Sequence, residues 1–261
     1  MSENTILITG GTRGIGCALA AQLLERGNTV LVTGRTEERL AAVRQSLPGV
    51  HTYVCDQCDP AAIGRLCSDA TRGFPNLNVL INNAGIGLKL NLNDTGGQLE
   101  DLEKEIKTNL TGPVQMVKQF LPQLKRQKSA VIVNVTSGLA FVPMALKPIY
   151  CATKAAMHSY TRSLRVQLKN SSVKVIELAP PATKTDFNKG QEELNSGRTM
   201  DVNELARAAL RGLEQDREEI LPGLSSILRL MGRLFPHMTV RRAEAERMVS
   251  QGDKGAKLFV S

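Results

Sequence analysis

A phenol and an ammonium stand four residues apart at Tyr150 and Lys154, a spacing that puts both on one face of a helix. An ammonium beside a phenol favours the phenolate and lowers the pKa of the tyrosine towards neutrality, where it exchanges a proton with a reacting oxygen. Ser137 adds a hydroxyl just after the apolar run 130–135, which predicts a buried strand. Open α/β sheets bind ligands at the carboxyl ends of such strands, so the three residues predict a proton-transfer site. A Tyr and a Lys at this spacing also occur on ordinary amphipathic helices, and the interpretation depends on the preceding elements.

The first of these elements is a strand, a glycine-rich loop and a helix near the N-terminus. Residues 5–9 predict a buried strand, residues 10–16 read GGTRGIG, and residues 17–26 predict a helix that Gly27 closes. The glycines permit a tight turn and let a pyrophosphate approach the backbone, and the helix offers its free N–H groups to the phosphates. A structural turn without a ligand is the alternative, but this order of elements favours a dinucleotide site.

The end of the second predicted strand, residues 29–33, indicates which dinucleotide binds. An NAD site usually places an acidic side chain there for the ribose 2′-hydroxyl, whereas this chain has Gly34 and Arg35. Arg35, together with Arg13 in the glycine loop, can pair with a 2′-phosphate, which predicts NADP(H). The alternative is that Arg35 is a solvated loop charge.

A third predicted strand, residues 50–54, leads to Asp56, which is placed to accept a hydrogen bond from an adenine amino group. Cys55 and Cys58 flank this residue with the Cys-x-x-Cys spacing that is also typical of redox and metal pairs. No second pair and no nearby His completes a tetrahedral site, so we expect structural thiols and no metal.

Two polar stretches follow in the middle of the chain. A fourth predicted strand, 78–81, runs into Asn-Asn-Ala-Gly at 82–85, whose small side chains let a ribose and a nicotinamide lie against the backbone. Residues 94–110 predict a helix in which Asn109 occupies an awkward, core-facing position. It is either a buried amide with satisfied hydrogen bonds or part of a distorted turn that holds a water leading to Lys154.

The remaining elements complete an alternating α/β pattern. Helices are predicted at 36–47, 112–128, 150–169, 202–213 and 224–235, and strands at 173–178 and 219–221. Pro122 is expected to kink or end its helix. Residues 187–200 predict a mobile loop that closes over substrate. The helix at 224–235 is expected to pack on the domain or form a lid, with a channel lining or a membrane surface as alternatives.

Composition bounds the class of protein. The 261 residues are 42% hydrophobic and 22% charged, as expected for one large soluble α/β domain. The apolar runs are far shorter than a membrane span, no signal-peptide pattern begins the chain, and five cysteines fit reduced thiols. We therefore expect a cytoplasmic protein without stable membrane insertion. The formal charge of +8 is spread along the chain and aromatic residues make up only 3%, which favours attraction of an anionic cofactor over nucleic-acid binding.

Taken in order, these motifs resemble those of the short-chain dehydrogenase/reductase family. The matches are TGGTRGIG at 9–16, NNAG at 82–85, Asn109, Ser137, YCATK at 150–154 and the proline–threonine segment at 180–185. They extend over residues 1–190. The resemblance implies one Rossmann-like, doubly wound domain over residues 1–251, in which helices flank a central parallel sheet of about seven strands. Its cofactor half would span 1–135, its catalytic and substrate half 136–251, and its C-terminal tail 252–261, disordered or a partner contact.

The resemblance also implies residue roles. Tyr150 would be the general acid/base, Lys154 would lower its pKa and bind the nicotinamide ribose, Ser137 would orient the substrate carbonyl, and Asn109 would hold a proton-relay water. Besides Tyr150 and Lys154, the expected contacts to NADP(H) are Gly10, Thr12, Arg13, Gly14, Ile15, Gly16, Arg35, Asp56, Asn83, Ala84, Gly85, Pro180, Thr183 and Thr185.

Two positions depart from the family pattern. Pro181 stands where the family usually has glycine, and Thr183 replaces a common Val or Ile. The family contact at position 183 is mainly through the backbone, so we expect NADP binding to survive. The segment PPATKTD resembles a poorly characterised branch named after an oxidoreductase of lipoteichoic-acid D-alanylation operons, and this likeness supplies no substrate.

The function that the resemblance implies is hydride transfer between NADP(H) and a carbonyl or alcohol carbon of a small molecule. Phe141, Val142, Met144 and Leu88 predict an apolar portion of that substrate. In this family the same residues also serve epimerases, dehydratases and enoyl reductases. A non-catalytic NADP-binding regulator or scaffold is the alternative from another class. Family members commonly dimerise or form tetramers through helices that correspond to 112–128 and 151–169, so a homodimer or homotetramer is expected.

Overall fold

Seven parallel strands form one sheet in the part of the chain that the computed structural model describes, residues 2–91, 99–185, 187 and 199–237. Their order across the sheet is β3-β2-β1-β4-β5-β6-β7, and every neighbouring pair is parallel. The strands are β1 Thr5–Ile8, β2 Thr29–Gly34, β3 His51–Val54, β4 Leu77–Asn82, β5 Ala130–Val135, β6 Val173–Leu178 and β7 Glu219–Ile220. The predicted doubly wound, Rossmann-like sheet is confirmed.

Helices cover both faces of this sheet. They are α1 Gly14–Glu25, α2 Glu37–Ser46, α3 Pro60–Gly73, α4 Leu99–Ile106, α5 Gly112–Lys125, α6 Pro148–Gln167, α7 Val202–Glu214 and α8 Ser225–Leu234. A π-helical turn, Lys107–Thr111, joins α4 to α5, and a 3-10 turn, Gly138–Ala140, follows β5. The sequence pattern does not predict α3, whereas the other described helices lie close to their expected positions.

The inner strands are apolar on both faces because helices bury both, whereas β3 at the sheet edge is partly exposed. Ile6, Leu7 and Ile8 of β1 have no exposed surface. Ile6 and Ile8 pack with apolar residues of α1, α2 and α7, while Leu7 packs with residues of α3, α5 and α6. Burying each such side chain stabilises the fold by about 1.5–3 kcal/mol, so the sheet is a rigid support for the loops at its edge.

The direction in which strands are added reverses next to β1. From β1 the chain runs outward through β2 and β3, returns to β4 on the other side of β1, and continues to β7. Open α/β sheets bind ligands at such a reversal, outside the carboxyl ends of the strands. The loops that follow β1, β4 and β5 therefore surround the candidate site.

The structure narrows two helix predictions. α5 continues past Pro122 to Lys125, so this proline does not end the helix. The missing N–H costs one helical hydrogen bond, which a helix with a buried inner face tolerates. The helix predicted at 94–110 is α-helical, among the described residues, only from Leu99 to Ile106, and its last part is the π-helical turn.

Some predicted segments fall outside the described residues. The expected closing loop 187–200 is described only at Phe187, Thr199 and Met200. Residues 238–261, which include the predicted tail, also lie outside the described part of the chain.

α8 packs on the domain with one side only. A Cβ at Gly232 would collide with the carbonyl oxygen of Phe141, so the helix touches the backbone just after the 3-10 turn. On the other side, Ile227, Leu230 and Leu234 are each more than half exposed. No helix in the described ranges combines the length and apolar character that crossing a membrane requires.

Candidate active site

The glycine loop after β1 is fixed to the loop after β4 by polar groups. Thr9 Oγ1 accepts hydrogen bonds from the N–H groups of Asn83 and Ala84, both at 3.0 Å. The side-chain amide of Asn83 donates to the carbonyls of Thr9 at 2.9 Å and Gly10 at 3.1 Å. Gly10 has a φ of +66°, and a Cβ there would lie 2.8 Å from Ala84 Cα. Only glycine fits such a position, so the two motifs form one rigid floor.

Gly14 and Gly16 extend this floor into the start of α1. A Cβ at Gly14, whose φ is +56°, would lie 3.4 Å from Thr185 Cγ2, and one at Gly16 would lie 2.5 Å from Asn83 Nδ2. Arg13 caps α1 without a side-chain hydrogen bond. The first N–H groups of the helix have no intrahelical acceptor and attract anions. A bare backbone cradle at a helix N-terminus fits the pyrophosphate of a dinucleotide.

The segment after β6 forms a second wall. The Pro180 carbonyl accepts a hydrogen bond from the N–H of Gly138 at 2.8 Å. Thr183 is buried, its hydroxyl donates to the Pro181 carbonyl at 2.9 Å, and its backbone forms a parallel bridge with Met200. The Thr183 hydroxyl, which the family's common Val or Ile would lack, therefore forms a hydrogen bond within its own loop.

A side chain at Gly34, at the carboxyl end of β2, would crowd its neighbours. A Cβ there would lie 2.6 Å from Thr12 Cγ2 and 3.0 Å from Leu40 Cδ2. Arg13 and Arg35 are exposed, and neither guanidinium forms an ion pair within the described ranges. Both guanidinium groups are exposed at the end of β2 and in the glycine loop, and residue 34 carries no carboxylate for a 2′-hydroxyl.

The thiols near Asp56 are reduced and poorly ionised. Cys55 and Cys58 form no disulfide, and burial is the main cause that raises the pKa of each thiol, that of Cys55 to about 11. Cys58 Sγ lies 3.1 Å from Thr108 Oγ1, while Asp56 Oδ1 accepts a hydrogen bond from the N–H of Cys58 at 3.0 Å. The described residues contain no cluster of three His, Cys, Asp or Glu side chains that could hold a metal.

Tyr150 and Lys154 lie one turn apart on α6, as the spacing predicts, and both are buried. Lys154 Nζ donates to the Val135 carbonyl at 2.9 Å and lies 5.7 Å from the centre of the Tyr150 ring. Ser137 caps the 3-10 turn, where its Oγ accepts a hydrogen bond from the N–H of Leu139 at 3.1 Å. The carboxyl end of β5 and the start of α6 therefore bring the three predicted groups together.

Burial decides the protonation of this pair. It raises the pKa of Tyr150, and the smaller effect of the hydrogen bond with Ser137 lowers it. Burial also lowers the pKa of Lys154 to about 8, while the Glu105 carboxylate raises it. Burial therefore moves the pKa of Tyr150 away from neutrality, opposite to the direction that its spacing from Lys154 predicts. Tyr150 is therefore a neutral phenol near pH 7, the form that donates a proton.

Asn109 lies in the π-helical turn and is buried. Its Oδ1 accepts from the N–H of Ile86 at 2.9 Å, and its Nδ2 donates to the Ile86 carbonyl at 2.8 Å and to Thr153 Oγ1 at 3.2 Å. A Cβ at Gly85 would lie 3.3 Å from Asn109 Oδ1 and 3.6 Å from Lys154 Nζ. The amide is satisfied and the turn is distorted, so the residue ties the loop after β4 to α6.

The apolar surroundings of Tyr150 differ in part from the expected set. Phe141 packs against the ring of His158 with 5.1 Å between centroids, beside α8. Phe187, which the sequence reasoning did not select, places its ring 5.4 Å from that of Tyr150 and close to Gly87.

Two buried charged residues near Tyr150 are also not predicted from the sequence. Glu105 is 1% exposed and Lys147 is 3% exposed, although charged residues are usually at the surface. Their spacing carries a signal, since Lys147 stands three residues before Tyr150 and Glu105 four before Asn109. Helical periodicity puts such residues on the same face.

Comparisons with known proteins agree with this geometry. A family model described as short chain dehydrogenase matches residues 4–195. The chain is 43% identical over 248 residues to the uncharacterised oxidoreductase DltE of Bacillus subtilis strain 168, which covers 92% of this chain and 98% of that protein. It is similar to a short chain dehydrogenase from Burkholderia cenocepacia J2315 in complex with NADP, with a TM-score of 0.81, 26% identity and coverage of 93% of this chain and 98% of that one. A short chain dehydrogenase/reductase from Burkholderia phymatum in complex with NAD matches with a TM-score of 0.80, 23% identity and coverage of 89% and 94%.

Proposed function

The chain belongs to the short chain dehydrogenase family, in the branch of the oxidoreductase DltE, and from that premise we propose an NADP(H)-dependent oxidoreductase. It would move a hydride between the nicotinamide and a carbonyl or alcohol carbon of a small-molecule substrate. The observation that carries the proposal is the convergence of Ser137, Tyr150 and Lys154 beside the bare glycine cradle. A binding protein would need the cradle but not the proton-transfer groups.

The bound cofactor would supply or accept the hydride, and the residues of this chain would handle the proton and the oxygen. In the reductive direction, the neutral phenol of Tyr150 donates its proton to the substrate oxygen. The hydroxyls of Ser137 and Tyr150 together stabilise the charge that develops there. Lys154 binds the nicotinamide ribose through an ammonium that burial makes easy to deprotonate, its pKa being about 8. The π-helical turn at Asn109 holds the loop after β4 in place, and we propose that it also positions a water that leads to Lys154.

The exposed guanidinium groups of Arg13 and Arg35, and a glycine instead of an acidic residue at position 34, support NADP(H) over NAD(H). The structures similar to this chain include one in complex with NADP and one in complex with NAD, so the choice between the two cofactors rests on the residues of this chain. We propose further contacts from Asp56 to the adenine, from Ala84 and Gly85 to the ribose and nicotinamide, and from Pro180, Thr183 and Thr185 to the carboxamide side. Gly10, Thr12, Ile15 and Gly16 would line the phosphates.

The test is turnover of a carbonyl panel with NADPH by the wild type and by Tyr150→Phe. We expect the variant to lose turnover and to keep its NADPH affinity, because only the proton donor is removed. Tyr160→Phe is the matched control, since it removes a half-buried phenol from the same helix, away from the site. A fully active Tyr150→Phe would refute the mechanism. NADPH binding without turnover of any carbonyl would favour the non-catalytic regulator.

We also propose that the chain acts as one domain over residues 1–251 and forms a homodimer or homotetramer in the cytoplasm. The outer side of α6 supports self-association, since Val166 is 76% exposed there. Light scattering of the purified protein would measure the assembly.

A further inference from the structure

Lys147 is a buried ammonium next to the proposed proton donor. The residue is 3% exposed and immediately precedes α6. Its Nζ lies 4.7 Å from the centre of the Phe187 ring and 5.9 Å from the centre of the Tyr150 ring. The ammonium therefore shares the surroundings of Tyr150, where a substrate would react.

Among the described residues, this ammonium has no direct anionic partner. Within the described ranges, no carboxylate lies within the 4.0 Å of an ion pair with Lys147, and its Nζ donates no hydrogen bond. Glu105 acts on it from a longer distance, and its own Oε1 accepts the N–H of Leu88 at 3.3 Å. Aromatic faces compensate a buried cation only in part, so the arrangement leaves Lys147 short of an acceptor.

The position on α6 adds to the positive potential. Lys147 is the N-cap residue of α6, and Tyr150 and Lys154 lie one turn apart on one face of that helix. The N-terminus of α6 has no side-chain cap, and its dipole favours an anion. Lys154 already donates to the Val135 carbonyl, and in the proposed function it also binds the ribose. Of the two buried ammonium groups beside Tyr150, Lys147 is thus the one that remains for the substrate.

We propose that Lys147 forms an anion subsite for a carboxylate of the substrate, so that the enzyme acts on oxo acids or hydroxy acids. The carboxylate would lie on the side of Tyr150 towards the N-terminus of α6, and the reacting oxygen would lie at Tyr150 and Ser137. The nearby Glu105 offsets part of the positive charge, which suits a carboxylate monoanion better than a doubly charged phosphate. This inference rests on the proposed function, because it assigns a substrate class to the same site.

The first experiment compares oxo acids with their neutral methyl esters at three spacings of carbonyl and carboxylate. The pairs are pyruvate, acetoacetate and levulinate, each with its methyl ester and with saturating NADPH. We expect the acid to be preferred at one spacing or more, mainly through KM. In Lys147→Met, a neutral side chain of similar length, kcat/KM for that acid should fall on the order of 10- to 100-fold, the effect of losing one charge-assisted hydrogen bond. The value for the ester should stay unchanged.

Two controls separate charge from structure. Lys147→Arg keeps the charge and should retain the preference for the acid. Lys169→Met removes an exposed ammonium just beyond the other end of α6 and should leave both substrates unaffected. Equal use of acids and esters by the wild type, or an equal loss for both in Lys147→Met, would overturn the subsite.

Direct binding keeps the inference testable if none of the six compounds is reduced. Calorimetric titration of butyrate and of butyramide, with and without NADPH, should show butyrate binding that Lys147→Met abolishes. Equal binding of the two, or butyrate binding that survives in Lys147→Met, would count against it. Failure of the proposed function itself would give a different result: NADPH would not bind, or turnover would not depend on Tyr150.

Discussion

Replacing Arg35 should change cofactor preference without changing the fold. Its guanidinium is exposed at the end of β2 and forms no ion pair with a described residue. The wild type should bind NADPH more tightly than NADH, because only NADPH carries the 2′-phosphate. Arg35→Ala should weaken NADPH binding and leave NADH binding unchanged, since it removes a contact that only one cofactor makes.

The magnitude follows from the exposure of the side chain. A hydrogen bond to a charged group contributes about 1.5–3 kcal/mol, and solvent around Arg35 places it at the lower end, or about tenfold in Kd. Arg35→Asp also adds repulsion. A phosphate of charge about −1.5 to −2, at about 4 Å in water, is repelled by roughly 1.5–2 kcal/mol. The two effects together, about 3–3.5 kcal/mol, predict a loss of roughly 150- to 300-fold for NADPH, and NADH should not lose affinity in this way.

The assay follows the emission of the reduced nicotinamide, since the chain contains no Trp. Arg65→Ala is the control, because Arg65 is also an exposed arginine, on α3, paired with Asp59 at 3.4 Å. It should affect neither cofactor. Tighter binding of NADH by the wild type, or an equal effect of Arg35→Ala on both cofactors, would show that Arg35 does not read the 2′-phosphate.

Three further predictions concern the interior of the site. Asn109→Ala should lower the free energy of unfolding by about 1–3 kcal/mol in urea titrations, because it leaves the half-buried N–H and carbonyl of Ile86 without their partner; unchanged stability would mean that the amide does not hold this loop. Glu105→Gln should move the alkaline fall of reductase activity, expected near pH 8, to lower pH, because the carboxylate raises the pKa of Lys154; a shift to higher pH would contradict the assignment. The wild type should gain up to about 3 kcal/mol of stability relative to Lys154→Met between pH 8 and 10.5. In that range the unfolded chain binds more protons at residue 154 than the folded one, and parallel curves for the two proteins would exclude the shift.

The sequence predicts those parts of the fold that short-range patterns determine. Apolar runs of strand length predict the strands, and the glycines at 10–16 predict a backbone conformation that other residues cannot adopt. α3 escapes prediction because Ile63, Leu66 and Ala70 are its only buried apolar residues within a polar segment. The start of α3 does carry a sequence signal, because Asp59 caps the helix and Pro60 is its first residue. Asp59 Oδ1 accepts a hydrogen bond from the N–H of Ala61 at 2.8 Å.

The charges of the site could not be predicted in the same way. Sequence spacing associates Lys147 with Tyr150, and Glu105 with Asn109. Whether such residues are buried depends on distant parts of the chain. A charged residue is exposed by default, so nothing in the local pattern indicates that both are buried. The same holds for the pKa of Tyr150, whose direction depends on how completely the fold removes water from the phenol.

Glu105 explains how two ammonium groups can flank one buried phenol. Burial lowers the pKa of both Lys147 and Lys154, and the carboxylate raises both. Burial in turn raises the pKa of Glu105, while the N–H of Leu88 and then the two lysines lower it. Each charge therefore depends on the others, and Glu105 can balance only one of the two ammonium groups. The excess positive charge lies beside Tyr150, where a substrate carboxylate would neutralise it, and this balance links the protonation of the site to the charge of its substrate.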